Sequence, residues 1–214
     1  ADSGVTFDIP TKRVSAWSDS SGQNNSMVQT ASTKQPLREG YGGQNDKAYF
    51  SFDGTDDSMV SSSNSPITTD FTIFEVSKII DTGRIFGYSD GIIAIDIGTD
   101  SSGFFASTIN DGEYRIQAIN SLSLPDKNHI SVTRKSNQTV DMEYYDEQNS
   151  LLSTGTNALF DPAVEFNTNT FLVGTASSIV LNGNIQEVIV YNRALTDSEI
   201  ADVKGYLNLK YKIY

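Results

Sequence analysis

Cysteine is absent from the 214 residues, so neither a disulfide nor a thiolate metal centre can form, and stability does not depend on the redox compartment. Histidine occurs once, at His129, which leaves too few imidazoles for a zinc site. No apolar run approaches the ~18 residues of a membrane span, and Ala1 opens onto polar residues instead of the apolar core of a signal peptide. The expectation is a soluble chain without membrane insertion, any targeting segment being removed or never part of it. Positive charge is also scarce: 15 Lys and Arg face 27 Asp and Glu, for a formal charge of −12. Such a field repels phosphate backbones and anionic lipid surfaces, so no nucleic acid is expected as a partner.

What is present is apolar and aromatic. Hydrophobic residues make up 37% of the chain, with 11 Phe and 10 Tyr, enough for one large core in a single domain over 1–214. They fall in short runs with period-two alternation or β-branched character: Ala48–Asp53, Phe71–Ile80, Gly91–Ile97, Tyr114–Ala118, His129–Lys135, Thr139–Tyr145, Thr170–Gly174 and Asn184–Tyr191. Asp53-Gly54, Asp90-Gly91, Asp111-Gly112 and Asn182-Gly183 read as tight turns between them. Many strands without alternating helices predict an all-β fold, an antiparallel jelly-roll β-sandwich. The polar stretch 18–41 reads as a long ordered loop that Met27, Val28, Pro36 and Leu37 tack onto a sheet.

One short C-terminal α-helix is predicted over 197–209. Thr196 and Glu199 have capping-box spacing, in which each side chain accepts the other's backbone N–H. Ile200, Val203 and Leu207 then form one apolar stripe.

The stretch Gly183-Asn184-Ile185-Gln186-Glu187-Val188-Ile189-Val190-Tyr191-Asn192-Arg193-Ala194-Leu195 is similar to the closing strand of concanavalin A-like lectin/glucanase domains of the laminin-G-like group. The following Gly205-Tyr206-Leu207-Asn208-Leu209-Lys210-Tyr211 resembles the ending of bacterial and phage members. Val14 to Gly22, with Trp17, and Phe50-Ser51-Phe52-Asp53-Gly54-Thr55-Asp56-Asp57 resemble the group's N-terminal segments in the same order. Members begin with an apolar strand ahead of the position of Ala1-Asp2-Ser3. Its absence here implies a first strand in a preceding part of a longer polypeptide or assembly.

The resemblance implies a recognition or adhesion module that binds a polysaccharide or cell-surface glycan. The alternative is a structural decoration or fibre subunit, held by neighbouring virion or surface protein subunits. Either role implies an extracellular, cell-surface or virion location. Glucanases share the fold, and Asp141 and Glu143 would share a strand face like a glycosidase pair, but their order is inverted relative to the family's, so no enzyme is expected and no catalytic residue is assigned. His129 reads as a packing residue, and Trp17 as core before sugar platform. The resemblance also implies calcium, ligated by Asp90 ahead of its strand. The Asp53–Asp57 turn reads as structural, since aspartate is a common turn former.

Overall fold

The computed structural model describes residues 4–63, 67, 69–81, 83–89, 93–99, 105–111, 114–118, 128–137, 139–146, 155–157, 170–176 and 178–214. Strands in the N-terminal half are β1 Val5–Phe7, β2 Val14–Trp17, β3 Met27–Val28, β4 Leu37–Glu39, β5 Tyr49–Asp53, β6 Met59–Ser61, β7 Phe71–Ile79, β8 Arg84–Ser89 and β9 Ile93–Thr99. They continue with β10 Phe105–Asp111, β11 Tyr114–Ala118, β12 His129–Ser136, β13 Thr139–Tyr145, β14 Gly155–Asn157, β15 Phe171–Val173, β16 Thr175–Ala176, β17 Ile179–Val180 and β18 Asn182–Tyr191. The helix α1 spans Asp197–Tyr211.

Among the described residues one sheet has the order β1-β2-β3-β6-β15-β8-β9-β10-β11 and the second β14-β13-β12-β7-β18-β5-β4. Pairing is antiparallel, and the two sheets close on one apolar core that includes Phe50, Phe52, Met59, Phe71, Ile85, Phe86, Tyr88, Ile97, Met142 and Ile185. The expected jelly-roll sandwich is therefore the observed architecture. A second cluster forms where α1 covers the outer face of the seven-stranded sheet: Phe74, Val76, Ile130 and Val132 meet Ile200, Leu207 and Tyr211.

Local chemistry explains the helix. Glu199 N donates to Thr196 Oγ1 at 3.3 Å, and Thr196 N donates to the Glu199 carboxylate at 2.9 Å, which completes the capping box. The helix outruns its predicted end by two residues because Tyr211 also reaches the buried face. It stops where Lys212 turns left-handed, with φ 52°, and donates its N–H to Asn208 O.

Three features differ from the sequence reading. Asn182-Gly183 is not a turn: both residues lie inside β18, and glycine is required there because a Cβ would sit 2.2 Å from Lys78 O. Val5–Phe7 forms an edge strand against β2, too short for its alternation to show in the sequence. The loop after Trp17 carries β3, a 3₁₀ turn at Ser32–Lys34 and β4, so Met27 and Leu37 do tack it to the sheets.

Candidate functional site

Beyond Ile185 the last strand loses a neighbour. Residues 182–185 pair with β5 on one side and β7 on the other, whereas Glu187–Tyr191 pair with β7 alone among the described residues. The register shifts between Ile185 and Glu187, and the buried Gln186 donates from Nε2 to Gln44 O in the loop that leaves this edge. Val188 and Val190 turn toward the inter-sheet core but are only half-buried.

The gap opens as a cavity of about 320 Å³. Met27, Phe86, Phe171, Val173, Val188 and Val190 give it an apolar lining, and Trp17 stands among them, set edge-on against Phe50 at 4.8 Å between ring centroids. Trp17 is half-buried, so its ring is shared between core packing and the cavity wall. The rim is polar. Burial works to raise the pKa of Asp19, but hydrogen bonds from Ser21 and the N–H of Asn25 outweigh it and hold the carboxyl below its ordinary value. Glu187 accepts from Lys210 Nζ at 3.0 Å across the mouth, and this pairing outweighs burial to raise the Lys210 pKa. A lone tryptophan was the only sign of this site in the sequence. Asn25, Glu187 and Lys210 come from segments far apart in the chain, and no local pattern joins them.

The β5–β6 turn gathers three carboxylates. Ligand oxygens of Asp53, Asp56 and Asp57 all lie within 4.8 Å of one another. Asp53 Oδ1 accepts from the N–H groups of Thr55 and Asp56, and Asp57 Oδ2 from the N–H of Asp53 at 3.1 Å. Asp57 is 3% exposed, and its Oδ1 has no hydrogen-bond partner. Burial, then the charge of Asp53, pushes its pKa up to about 6. Asp90, the calcium ligand implied by the family resemblance, lies outside the described residues.

Asp141 and Glu143 do share a face of β13, but it is the face beneath α1. Asp141 is engaged by Arg134 at 2.9 Å, and Glu143 by Lys204 at 2.9 Å and by the Tyr145 hydroxyl at 2.6 Å. Both carboxylates are thus engaged in ion pairs, at about one-quarter exposure. His129 is 1% exposed, bonded through Nε2 to Ser77 Oγ at 3.0 Å and stacked on Tyr144 at 4.3 Å, which fits its reading as a packing residue.

No family model and no curated protein matches the sequence. Solved structures do match its shape. Domain 4 of AbnA, a GH43 extracellular arabinanase from Geobacillus stearothermophilus determined with arabinotriose, superposes with a TM-score of 0.67 at 14% identity, covering 86% of this chain and 91% of that one. A heptameric SAP-like pentraxin from Limulus polyphemus gives 0.57 at 15% identity, covering 72% and 79%. Domains LG4-5 of the mouse laminin alpha1 chain give 0.51 at 12% identity, covering 69% of this chain and 42% of that one. These neighbours share a fold at identities too low to carry an activity, and that fold, the concanavalin A-like lectin/glucanase sandwich, is the fold of this chain.

Proposed function

We propose that this domain is a non-catalytic recognition module that binds carbohydrate in the cavity beside Trp17, as part of an extracellular, cell-surface or virion protein. The observation that carries the reading is the half-buried Trp17 on the wall of an apolar cavity of about 320 Å³ with Asp19, Asn25, Glu187 and Lys210 at its rim. Ligand pockets of this size are mostly apolar with a few placed polar groups. An indole complements the C–H face of a pyranose, while the rim groups and the edge of Glu187–Tyr191 that faces away from β7, without a strand partner among the described residues, offer acceptors and donors to its hydroxyls. Two carboxylates against one ammonium favour a neutral sugar over an acidic one. The arabinanase domain, seen with arabinotriose, supports sugar binding as one use of this sandwich. The ion-paired state of Asp141 and Glu143 supports the absence of hydrolysis.

A glycan array probed with wild type and Trp17→Ala tests this. Wild type is expected to retain a neutral glycan that the variant binds at least about tenfold more weakly, the equivalent of ~1.4 kcal/mol. A variant that binds like wild type sinks the proposal.

The Glu187–Tyr191 edge of β18, which has no strand partner opposite β7 among the described residues, favours a second reading, a structural subunit that pairs this edge with a strand of a neighbouring protein. Self-association in sedimentation experiments, lost in Val190→Lys and accompanied by no glycan binding, would select it.

A further inference from the structure

We infer that the turn joining β5 to β6 is a calcium site, built from the carboxylates of Asp53, Asp56 and Asp57. Calcium takes oxygen ligands at 2.3–2.6 Å, so two ligands on opposite sides of the ion stand roughly 4.6–5.2 Å apart. Three carboxylate oxygens within 4.8 Å of one another fit around such an ion. Magnesium sheds water reluctantly and is seldom held by a cage of protein carboxylates alone, so it suits such a site less well.

A cluster of acidic residues on a turn is commonplace. What sets this one apart is Asp57, which is 3% exposed and leaves Oδ1 buried without a partner. An unpaired buried carboxylate oxygen is costly, and costlier beside a second negative charge. The charge of Arg13 offsets this only in small part, and its guanidinium is already donating to Gln35 O at 2.9 Å. A cation bound between the three aspartates would satisfy Asp57 Oδ1 and offset the repulsion together. Asp57 Oδ2 and Asp53 Oδ1 already accept from backbone N–H groups of the turn, so two of the three carboxylates are fixed before the ion arrives. Preformed ligands lower the ordering cost of binding. Asp53 is exposed, which leaves water room to complete the six to eight oxygens that calcium takes.

The ion would clamp β5 to β6 at the end of the sandwich where Gly54 N donates to Leu181 O. This inference is independent of the carbohydrate reading, because the experiment uses calcium alone. Isothermal titration of calcium chloride into the chelator-treated protein is expected to show one site with Kd of about 10⁻⁴ M, within the weaker range of calcium modules. Asp56→Asn, at a half-exposed position that should leave the fold intact, is expected to weaken binding at least about tenfold, since ligand charge sets affinity. Asp57→Asn is expected to abolish it, and Asp90→Ala to leave it unchanged. Absence of binding to wild type overturns the assignment. So does Asp56→Asn binding like wild type, or loss of binding in Asp90→Ala.

Discussion

On the outer face of the seven-stranded sheet, Phe74, Val76, Ile130 and Val132 are sealed by the apolar side of α1. On the inner face of the same two strands stand Glu75, Ser77, His129, Ser131, Thr133 and Lys135, each at most 1% exposed. Both faces are dry, yet the outer is sealed with hydrocarbon while the inner sets these polar groups beside Phe71, Ile73 and Ile79 of the core. The inner face is made tolerable by pairing across the strands. Glu75 and Ser131 are register partners joined at 2.9 Å, Ser77 and His129 are partners joined at 3.0 Å, and Lys135 reaches Asp70 at 3.3 Å. Alternation in a strand thus tells which residues share a face. It does not tell which face meets water.

The largest effect is expected on the apolar face. Phe74 is fully buried between sheet and helix, so Phe74→Ala removes transfer energy and leaves a cavity that the sheet backbone cannot close. The expected cost is about 3–5 kcal/mol, read from the shift of the urea midpoint at constant slope. A loss below about 1 kcal/mol would mean that α1 contributes little to the stability of the sheet, and the contrast between the faces would fail.

The polar face predicts a pH effect instead. Burial, only partly offset by the bond from Ser131, pushes Glu75 up to about 8, against an ordinary value of 4.5. Between those two values the folded state holds a proton that the unfolded chain has released. Stability is therefore full below about 4.5, declines as pH rises toward about 8 and is level above it, with a slope of at most ~1.4 kcal/mol per pH unit from this group. Asp57, whose pKa is also raised, adds its own slope in the lower part of this window. The informative quantity is thus the difference between wild type and Glu75→Gln, measured as urea midpoints from pH 5 to 9. The variant should keep a hydrogen bond to Ser131 and lose the Glu75 part of the slope. Parallel curves would show that Glu75 is not the group responsible.

The same contrast separates what the sequence makes legible from what it hides. The closing strand and its helix are legible because their signals are local: the stretch from Ile185 to Tyr191 is rich in β-branched residues, and Thr196 and Glu199 cap within three residues of each other. The polar inner face is hidden, because nothing in the local pattern around Glu75 and Ser131 shows that two sheets close over them. Gly183 misleads for a related reason. Its freedom is used to let Lys78 O approach, a contact 105 residues distant in sequence and invisible to a turn rule. The cavity is hidden most thoroughly, since Trp17, Phe86, Phe171, Val188 and Lys210 meet only through the order of the sheets. The Asp53–Asp57 turn is legible as a turn, with Gly54 at φ +76° as its pattern requires, but the burial of Asp57 is supplied by the surrounding fold.

The smallest expected effect belongs to the most local feature. Thr196 satisfies the N–H of Glu199, and Glu199 returns the bond while also holding Arg193 in a two-pronged pair at 2.7 and 2.9 Å. The Arg193 bond first, then the bonds from Thr196, hold the Glu199 carboxyl down at about 2, so it stays ionised across the whole working range and the box does not open with mild acid. Thr196→Ala removes the hydroxyl but spares both the Arg193 pair and the backbone N–H that Glu199 accepts. The loss is therefore that of one cap, about 1 kcal/mol. Thr196→Ser should restore most of it, since the hydroxyl is retained. The readout is again the urea midpoint, and near-equality of Thr196→Ala with wild type would show that the Arg193 pair fixes the helix start without the box. A loss approaching that of Phe74→Ala would point the other way: undoing one cap would then release the helix from the sheet, making α1 and the apolar face beneath it a single cooperative unit.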